Sequence, residues 1–423
     1  MDKLGQVLIV GKGVSGTAVL EFCEAAGADL GMTSLTLVDG QDSVPAAVGG
    51  GGYDTVVVSP GIPPHAPLFQ AARAATAPDG TFMGEAEFAW RISDPGVIWA
   101  AVTGTNGKTT VTEMLTVMLV ASGLPAAGVG NIGDAATTAA AGAPAGTILV
   151  AELSSYQLYS IIDFHPRAAV LLNITPDHMA WHGDMQAYSC AKRRVFENMT
   201  DADFALDCTD GTTAKTGEWD VALPLPDADL PFAGDHNRAN ARAAAALARA
   251  LGATEDGIAA ALANFRLAPH RIADIATIDG VRYVDDSKAT NPDATIKALT
   301  AFDPGTVHLL VGGLNKGLDF SYLARETLDQ PAGIYCFGQA ADELAGAYRA
   351  AGATEQQLST YPTMAAALGA AHAAAQAAAG TTGQVVLLSP ACASFDEFPQ
   401  GYTQRGDAFI AQVTRYAESA DAR

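Results

Sequence analysis

Short runs of apolar, mostly β-branched residues alternate with alanine-rich stretches of helical periodicity along the whole chain. This alternation is typical of βαβ units, in which helices cover both faces of a sheet whose strands are continuously apolar. Ten runs are predicted to be strands: 7–10, 35–38, 55–58, 98–103, 148–152, 168–173, 281–285, 307–311, 333–337 and 385–389. The pattern therefore predicts an α/β protein built on largely parallel sheets flanked by helices.

Two breaks in the pattern predict domain boundaries. Residues 93–96 (Ser-Asp-Pro-Gly) end one helical stretch, and residues 268–271 (Ala-Pro-His-Arg) end another before a new strand. We therefore expect three domains, at 1–97, 98–267 and 268–423, each of ordinary domain size.

Composition and charge limit the classes of molecule that the protein is expected to bind. The 423 residues include 24 Lys and Arg against 46 Asp and Glu, a net charge of −22, which disfavours binding to nucleic acid or anionic lipid. The five cysteines are scattered without metal-ligand spacing, as expected in a reducing cytoplasm. A strand-like run begins almost at the first residue, and no 18-residue uncharged apolar run follows, so we expect a cytoplasmic protein without membrane insertion.

A glycine-rich turn follows the first predicted strand. Residues 11–16 read Gly-Lys-Gly-Val-Ser-Gly, and Asp39 ends the next strand. This spacing is typical of a turn that brings backbone N–H groups to a pyrophosphate, while the acid binds a ribose hydroxyl. The motif alone is weak, and a nicotinamide site or a tight turn without ligand would have the same residues.

A stronger motif follows the fourth predicted strand. Residues 103–110 read Thr-Gly-Thr-Asn-Gly-Lys-Thr-Thr, a shortened Gly-x-x-Gly-Lys-Thr phosphate loop between a strand and a helix. Its backbone N–H groups can cradle phosphates, Lys108 can reach the terminal phosphate oxygens, and Thr109 can hold Mg²⁺. The sequence therefore predicts a nucleoside triphosphate site.

Two further polar groups close neighbouring strands. Glu152 ends the strand 148–152, and His178 follows the strand that closes at Asn173. Each could be a satisfied helix cap, but their shared position beside the phosphate loop favours metal binding. By composition alone, Lys192 reads as part of a solvated basic helix face.

Taken together, these motifs resemble the Mur ligase family over essentially the whole chain and in the same order. The segments that carry the resemblance are 103–110, 152–155, 173–178, 191–192, 235–240, 269–271, 285–292 and 389–394. The His-Arg pair at 270–271 followed by Asp-Asp-Ser-Lys-Ala-Thr-Asn at 285–291 resembles the members that add D-glutamate.

The resemblance implies a Rossmann-like N-terminal domain, a central P-loop-type ATPase domain and a Rossmann-like C-terminal domain. They would bind, in order, the UDP-linked substrate, ATP and the amino acid. The implied activity is ATP-dependent addition of D-glutamate to UDP-N-acetylmuramoyl-L-alanine (UDP-MurNAc-L-Ala) in cytoplasmic peptidoglycan precursor synthesis, and so in cell-wall formation, cell shape and cell division. An acyl phosphate and a tetrahedral intermediate would form in turn. We expect small-molecule partners only and a monomer.

The resemblance also assigns residues to roles. Lys108, Glu152, His178, Lys192 and Lys288 would be catalytic. ATP would bind at Gly104, Thr105, Asn106, Gly107, Lys108, Thr109, Thr110, Asn237, Arg271 and Asp286. The UDP-linked substrate would bind at Val14, Ser15, Asp39, Gly61, Asn131, Ser154 and His178, and glutamate at Thr290, Lys316, Ser394 and Phe395. Mg²⁺ would be held by Thr109, Glu152, His178 and Lys192, the last as a carbamate formed with CO₂.

Three positions depart from the commoner forms of the family. Gly40 and Gln41 follow Asp39 where some members carry Thr-Arg, Asn315 precedes Lys316 in place of an acid, and the aromatic residue of the glutamate pocket aligns ambiguously around Tyr402. Two other classes also remain open. A nicotinamide dehydrogenase would leave the phosphate loop without a purpose, and a nucleotide-dependent regulatory protein would not need Lys316 or Ser394.

Overall fold

The fold is taken from a computed structural model that describes residues 3–39, 52–209, 222–232, 234–267, 269–378 and 383–421. Gly40 and Gln41, where the sequence departs from some family members, and Ala268, at a predicted boundary, lie outside the described residues. The described chain alternates strands and helices as the sequence predicts.

The strands are β1 (Gly5–Val10), β2 (Met32–Val38), β3 (Tyr53–Val58), β4 (Thr76–Gly84), β5 (Ile98–Thr103), β6 (Ala126–Gly130), β7 (Ile148–Glu152), β8 (Ala168–Leu171), β9 (Phe204–Asp207), β10 (Ala273–Ile278), β11 (Val281–Asp285), β12 (Val307–Gly312), β13 (Pro331–Phe337), β14 (Leu358–Tyr361) and β15 (Val385–Ala391).

The helices are α1 (Val14–Ala26), α2 (Pro67–Ala74), α3 (Glu85–Ile92), α4 (Lys108–Ala121), α5 (Ala136–Gly142), α6 (Ser155–Tyr159), α7 (Met179–His182), α8 (Met185–Arg193), α9 (Asp235–Ala250), α10 (Glu255–Asn264), α11 (Pro292–Leu299), α12 (Ser321–Thr327), α13 (Ala341–Ala351), α14 (Met364–Ala377) and α15 (Tyr402–Asp421).

The first sheet has the order β2-β1-β3-β4, with every pair parallel. Because side chains alternate along a strand, Val7 and Ile9 pack with α1 on one face, while Leu8 and Val10 pack with Phe69 of α2 on the other. Both faces are therefore covered, as parallel sheets require.

The second sheet has the order β6-β7-β5-β8-β9 and is also parallel throughout. β5 lies between β7 and β8, so the segments that follow these three strands emerge side by side at one edge. The carboxyl edge of such a sheet is where ligands bind in open α/β folds.

The third sheet has the order β10-β11-β15-β12-β13-β14. Only its edge strand β10 is antiparallel among the described strands, and it forms a hairpin with β11 through Asp279 and Gly280. Leu309 and Val311 pack toward α12 and α13, whereas Leu310 packs toward α14 and α15. The α/β class with three largely parallel sheets is confirmed.

All ten predicted strands are present, although most have a bound that differs from the prediction by one to three residues. The run 168–173 was expected to be strand throughout, but β8 ends at Leu171 because Asn173 turns its backbone carbonyl toward the amide of Thr105. Five strands lie outside the ten predicted runs: β4, β6, β9, β10 and β14. β4 contains Pro78, Asp79 and Gly80, which are typical of turns, so its pattern predicts a loop.

The chain divides into two compact units. One comprises Met1–Ile174 and Trp181–Arg266 and holds the first two sheets, and the other comprises Thr175–Ala180 and Leu267–Arg423 and holds the third. The boundaries at 97/98 and 267/268 remain predictions. No helix in the described part of the chain has the length and apolar character to cross a membrane.

Candidate active site

The phosphate loop joins β5 to α4. Gly104 has φ +154°, and Gly107, at the helix N-cap, has φ +88°, a left-handed conformation that favours glycine. A Cβ at Gly107 would lie 2.6 Å from Oδ1 of Asn240, so α9 approaches the loop too closely for a side chain there. The loop therefore leads its backbone directly into the N-terminus of α4, where phosphates bind.

Asn173, just beyond β8, braces this loop. Its Oδ1 accepts from the Asn106 amide at 2.8 Å, its Nδ2 donates to the Asn106 carbonyl at 2.9 Å, and its own carbonyl accepts from the Thr105 amide at 2.8 Å. Asn173 begins one of the segments that carry the family resemblance, but the sequence predicts no role for it. It fixes the position of the loop in the first unit.

Two lysine side chains converge on one carbonyl oxygen. Lys108 Nζ donates to the Gly104 carbonyl at 2.9 Å and to the Thr105 carbonyl at 3.0 Å, and Lys192 Nζ donates to the Gly104 carbonyl at 2.7 Å. The structure thus places Lys192 at the phosphate loop, 88 residues away in sequence.

Lys192 belongs to α8, which begins at its N-cap Asp184. The interpretation of Lys192 as a solvated surface lysine is wrong, because the residue is 2% exposed. Its Nζ lies 4.8 Å from the centre of the Tyr188 ring, whose hydroxyl is 2.9 Å from Thr105 Oγ1. Composition alone does not predict this burial, because the neighbouring basic residues Arg193 and Arg194 are more exposed than Lys192.

Glu152 ends β7 next to the loop and is 1% exposed. One carboxylate oxygen, Oε1, accepts from Asn131 Nδ2 at 2.9 Å. The other, Oε2, is buried and has no hydrogen-bond partner among the described residues. A buried carboxylate oxygen without a partner is costly unless a ligand occupies that position, and a cation is the ligand that its charge favours.

Ser154 caps α6. Its hydroxyl accepts from the Gln157 amide at 3.3 Å and contacts Gln157 Oε1 at 3.0 Å, while the Ser154 amide donates to the same oxygen at 2.9 Å. This is a capping box. The alternative that Glu152 is a satisfied helix cap is therefore wrong, because Ser154 caps α6 and Oε2 of Glu152 has no hydrogen-bond partner among the described residues.

His178 has φ +58° and lies in the second unit together with the other residues of Thr175–Ala180. Its Nδ1 is 3.4 Å from Asp177 Oδ1. The described residues contain no group of three His, Cys, Asp or Glu side chains arranged to hold a metal. Of the residues expected from the sequence to hold a metal, Glu152 and His178 are of these types; Glu152 belongs to the first unit and His178 to the second.

Other residues of the predicted ATP site lie in the first unit near the loop. Thr110 is buried and Thr109 is partly buried at the start of α4. Asn237 is buried three residues before Asn240 on α9, and residues three apart share a face of a helix. Since Asn240 contacts Gly107, Asn237 is on the helix face that approaches the loop.

The glycine turn of the first sheet has the close packing that its motif predicts. A Cβ at Gly16 would lie 1.8 Å from the Gly11 carbonyl oxygen, so only glycine allows this approach of α1 to β1. Asp39 Oδ1 accepts from the Lys12 amide at 3.0 Å, which places the acid at the turn. Val14 is 79% exposed there, and Ser15 is partly buried. Gly61 is exposed in the segment after β3.

The second unit presents a buried polar cluster after β11. His270 Nδ1 lies 2.6 Å from Asp285 Oδ2, and Asp286 accepts from Ser389 Oγ at 2.8 Å. Burial raises the pKa of Asp286 to about 7, although the hydrogen bond from Ser389 and the charge of Arg271 oppose this. Arg271 and Asp286, both expected at the ATP site, are therefore neighbours.

Arg405 organises the next turn and was given no role from the sequence. It is fully buried, and it donates to Ser287 Oγ at 3.0 Å and to the carbonyls of Ser287 at 2.7 Å and Cys392 at 3.1 Å. Burial lowers its pKa to about 10. Lys288 follows this turn, and its Nζ lies 4.1 Å from the centre of the Tyr402 ring. Tyr402, around which the aromatic residue of the glutamate pocket aligns ambiguously, therefore lies beside Lys288.

Two loops at the carboxyl edge of the third sheet are joined by a bridge. The amide of Leu314 donates to the Ala393 carbonyl at 2.8 Å, and the amide of Ala393 donates to the Leu314 carbonyl at 3.2 Å. This pair brings Lys316 Nζ to 5.3 Å from the centre of the Phe395 ring. Lys316 and Phe395 are exposed and Ser394 is buried, so three predicted glutamate residues do lie together. Thr290 is partly buried just before α11.

Comparison with known proteins identifies the family. Residues 102–219 match the model of the Mur ligase middle domain, and residues 270–392 match that of the Mur ligase glutamate ligase domain. A protein of Frankia casuarinae named UDP-N-acetylmuramoylalanine--D-glutamate ligase is 40% identical over 96% of this chain and 93% of its own length. The chain belongs to the Mur ligase family.

Other Mur ligases are similar over most of the chain. A protein of the same name from Mycolicibacterium smegmatis is 36% identical over 96% of both chains. Among solved structures, MurF from Acinetobacter baumannii has a TM-score of 0.58 at 20% identity, covering 87% of this chain and 92% of its own. The UDP-N-acetylmuramate-alanine ligase of Thermotoga maritima has a TM-score of 0.53 at 15% identity, covering 99% of both chains. These structures share the fold, and family membership argues against the dehydrogenase and regulatory alternatives.

Proposed function

We propose that this Mur ligase uses ATP to join the amino group of D-glutamate to the alanine carboxyl group of UDP-MurNAc-L-Ala. The observation that carries the proposal is the near full-length similarity to relatives named for this reaction, in a chain that retains a formed phosphate loop. The reaction would take place in the cytoplasm, as one step of peptidoglycan synthesis. A monomer remains our prediction.

The chemistry needs an activated carboxyl group, because a carboxylate is a poor electrophile for an amine. The substrate carboxylate would attack the γ-phosphorus of ATP, release ADP and become an acyl phosphate. The amine of glutamate would then attack the acyl carbon, form a tetrahedral intermediate, lose a proton and expel phosphate. Lys108 lies at the loop where it can contact the transferring phosphoryl oxygens and stabilise their charge.

The residues at the loop fit a magnesium ion. The unpartnered Oε2 of Glu152 is a hard oxygen ligand in a buried position beside the loop, and Thr109 offers a hydroxyl at the start of α4. With His178 and carbamylated Lys192 they would hold Mg²⁺. When bound, Mg²⁺ supplies positive charge that neutralises phosphate oxygens.

Carbamylation of Lys192 is supported by its surroundings. A lysine amine is a poor ligand for Mg²⁺, whereas a carbamate presents anionic oxygens. Lys192 is buried at the loop, its Nζ held by the Gly104 carbonyl, and a buried lysine of this kind has no role in solubility. Reaction of the neutral amine with CO₂ would form an N–C bond and release one proton.

The bridged loops of the second unit are proposed to select the acceptor. Lys316 would pair with the side-chain carboxylate of glutamate, while Ser394 and Phe395 line the same edge and Thr290 and Lys288 contact the reacting end. An acceptor without a side-chain carboxylate would leave the charge of Lys316 unpaired in the site and would therefore bind poorly. D-glutamine and D-alanine should therefore be much poorer acceptors than D-glutamate.

The remaining assignments follow from the same proposal. Asn237, Arg271 and Asp286 would bind the adenosine part of ATP. The UDP end of the other substrate would bind at Val14, Ser15, Asp39 and Gly61, and its sugar-peptide part at Asn131, Ser154 and His178. For Ser154 the backbone is the better candidate, because its hydroxyl is engaged in the helix cap.

A phosphate-release assay tests the proposal. With ATP, Mg²⁺ and UDP-MurNAc-L-Ala, phosphate should appear only when D-glutamate is added from a panel of amino acids. Lys108→Ala should lower kcat at least about 100-fold, the scale of losing one preorganised electrostatic contact. The control Lys3→Ala changes an exposed lysine just before β1 and should leave kcat unchanged. Phosphate release that does not depend on an amino acid would contradict the proposal.

A further inference from the structure

A cavity lies in the first unit beside α8, on a different face of this helix from the one that contacts the phosphate loop. It has a volume of about 780 Å³, within the range of small-molecule sites. Its walls come from α2 and β4, from the end of α6 and the residues after it, and from α8 and the residues after it. None of the site residues assigned above lines it.

One wall of this cavity is aromatic. Phe69 packs edge-on against Phe82 at 5.0 Å between ring centres and against Tyr159 at 6.3 Å. Aromatic walls of this kind bury the flat apolar part of a ligand. Tyr159 also packs edge-on against Trp181 at 5.2 Å, so the wall is backed by further rings.

Two arginines line the cavity and differ in what their guanidinium groups contact. Arg194 is held in place by the carbonyls of Tyr159 and Ile161 and by Glu197. The Arg73 guanidinium lies over the Phe82 ring, 5.6 Å from its centre, and is exposed. No carboxylate of the described part of the chain forms an ion pair with Arg73. A guanidinium stacked on a ring keeps its N–H edge available for an anion.

The helix α8 links the cavity to the active site. Ala187, Cys190 and Ala191 face the cavity, at the spacing of one helix face. Tyr188 and Lys192, four residues apart on the other face, contact Thr105 and Gly104 of the phosphate loop. A ligand that binds in the cavity against α8 would therefore disturb the contacts that Tyr188 and Lys192 make with the phosphate loop.

We propose that this cavity is a second small-molecule site, for a flat aromatic anion that pairs with Arg73, and that its occupancy lowers turnover through α8. The proposed effect on turnover rests on the proposed ligase function, whereas binding does not.

Binding is tested by calorimetry with naphthalene-2-carboxylate as the probe. Arg73→Gln should weaken its binding about 10-fold, and Ala187→Phe, a change at an exposed lining position, should abolish binding by filling the cavity. The neutral naphthalene-2-carboxamide should bind wild type and Arg73→Gln equally. Arg415→Gln changes an exposed arginine of α15 and should have no effect. Equal affinity of the carboxylate for wild type and Arg73→Gln would overturn the site.

The rate at which Cys190 is alkylated gives an independent measurement of where the probe binds. It is exposed and lines the cavity, whereas Cys23, Cys336 and Cys392 are buried. The probe should slow alkylation of Cys190 by iodoacetamide in wild type but not in Ala187→Phe, as measured by peptide mass spectrometry. Unchanged alkylation at saturating probe would place the bound probe elsewhere.

The kinetic test uses the phosphate-release assay with and without saturating probe. We expect the probe to lower kcat at least twofold and to leave KM for UDP-MurNAc-L-Ala unchanged. The kcat of Ala187→Phe should not change when the probe is added. An unchanged kcat would overturn the link through α8, and competition with UDP-MurNAc-L-Ala would show that the cavity belongs to the main substrate site. If wild type releases no phosphate without the probe, the proposed function fails while the binding result stands.

Discussion

Replacing Asn173 by alanine should uncouple the phosphate loop from the rest of the second sheet. The change removes two hydrogen bonds, to the amide and the carbonyl of Asn106 at 2.8 and 2.9 Å. It leaves the bond from the Thr105 amide to the backbone carbonyl of residue 173 in place. The loop should therefore lose its order while the sheet beneath it stays folded.

The size of the effect follows from these two bonds. Each neutral hydrogen bond contributes about 0.5–1.5 kcal/mol net, so ordering the loop becomes less favourable by about 1–3 kcal/mol. If ATP binds only the ordered loop, kcat/KM for ATP should fall by about 5- to 150-fold. KM for D-glutamate should change little, because the second unit is unaffected.

The matched control is Asn198→Ala. The Asn198 side chain also makes two hydrogen bonds with the backbone: its Nδ2 donates to the carbonyls of Ile162 and Phe164 at 2.8 and 3.2 Å, away from the loop. Both variants should lower the melting temperature by a similar amount, but only Asn173→Ala should lower kcat/KM for ATP. If the two variants have the same ATP kinetics, Asn173 contributes to stability alone and its role at the loop is refuted.

Three further predictions concern buried polar residues. Lys192→Ala should abolish most activity with little change in melting temperature, and acetate or formate should restore part of the rate while bicarbonate should not; full activity in the variant would refute the carbamate. Because burial raises the pKa of Asp286 from 3.8 to about 7, folding favours its protonated form, so this group's contribution to stability is present below pH 4 and is lost as the pH rises to about 7. Urea denaturation of Asp286→Asn should show a weaker pH dependence than wild type over that range, and an identical dependence would argue against the shift. Arg405→Met leaves three buried hydrogen-bond acceptors without their donor and should destabilise the fold by about 3–5 kcal/mol; a melting temperature within two degrees of wild type would show that this arginine is dispensable.

The fold could be predicted from the sequence where the pattern is local. The apolar runs predicted to be strands, such as 307–311, are strands in the structure. Such runs are continuously apolar because helices bury both faces of a parallel sheet. The glycine turns at 11–16 and 104–107 continue directly into α1 at Val14 and α4 at Lys108, so the contiguous motifs also mark where these helices begin. β6 was missed because Ala126–Gly130 contains a single β-branched residue.

The candidate site was predictable only in part, for a related reason. The phosphate loop is contiguous in sequence, and Glu152 is found at the end of an apolar run, so both could be located from local pattern. The brace from Asn173 to Asn106 joins residues 67 positions apart, and Arg405 contacts Ser287 across 118 positions. No local periodicity records such contacts, because they depend on which strands become neighbours in the sheet.

The bridge between Leu314 and Ala393 has a consequence for changing the acceptor of this enzyme. It ties together two segments about eighty positions apart, one carrying Lys316 and the other carrying Ser394 and Phe395. A substitution that shifts the backbone of one segment should also shift the other, because the two segments are hydrogen-bonded through their amides and carbonyls. On the proposed acceptor assignment, engineering or natural divergence toward another amino acid should therefore exchange both segments at once, and chimaeras that take only one should lose selectivity without gaining a new substrate.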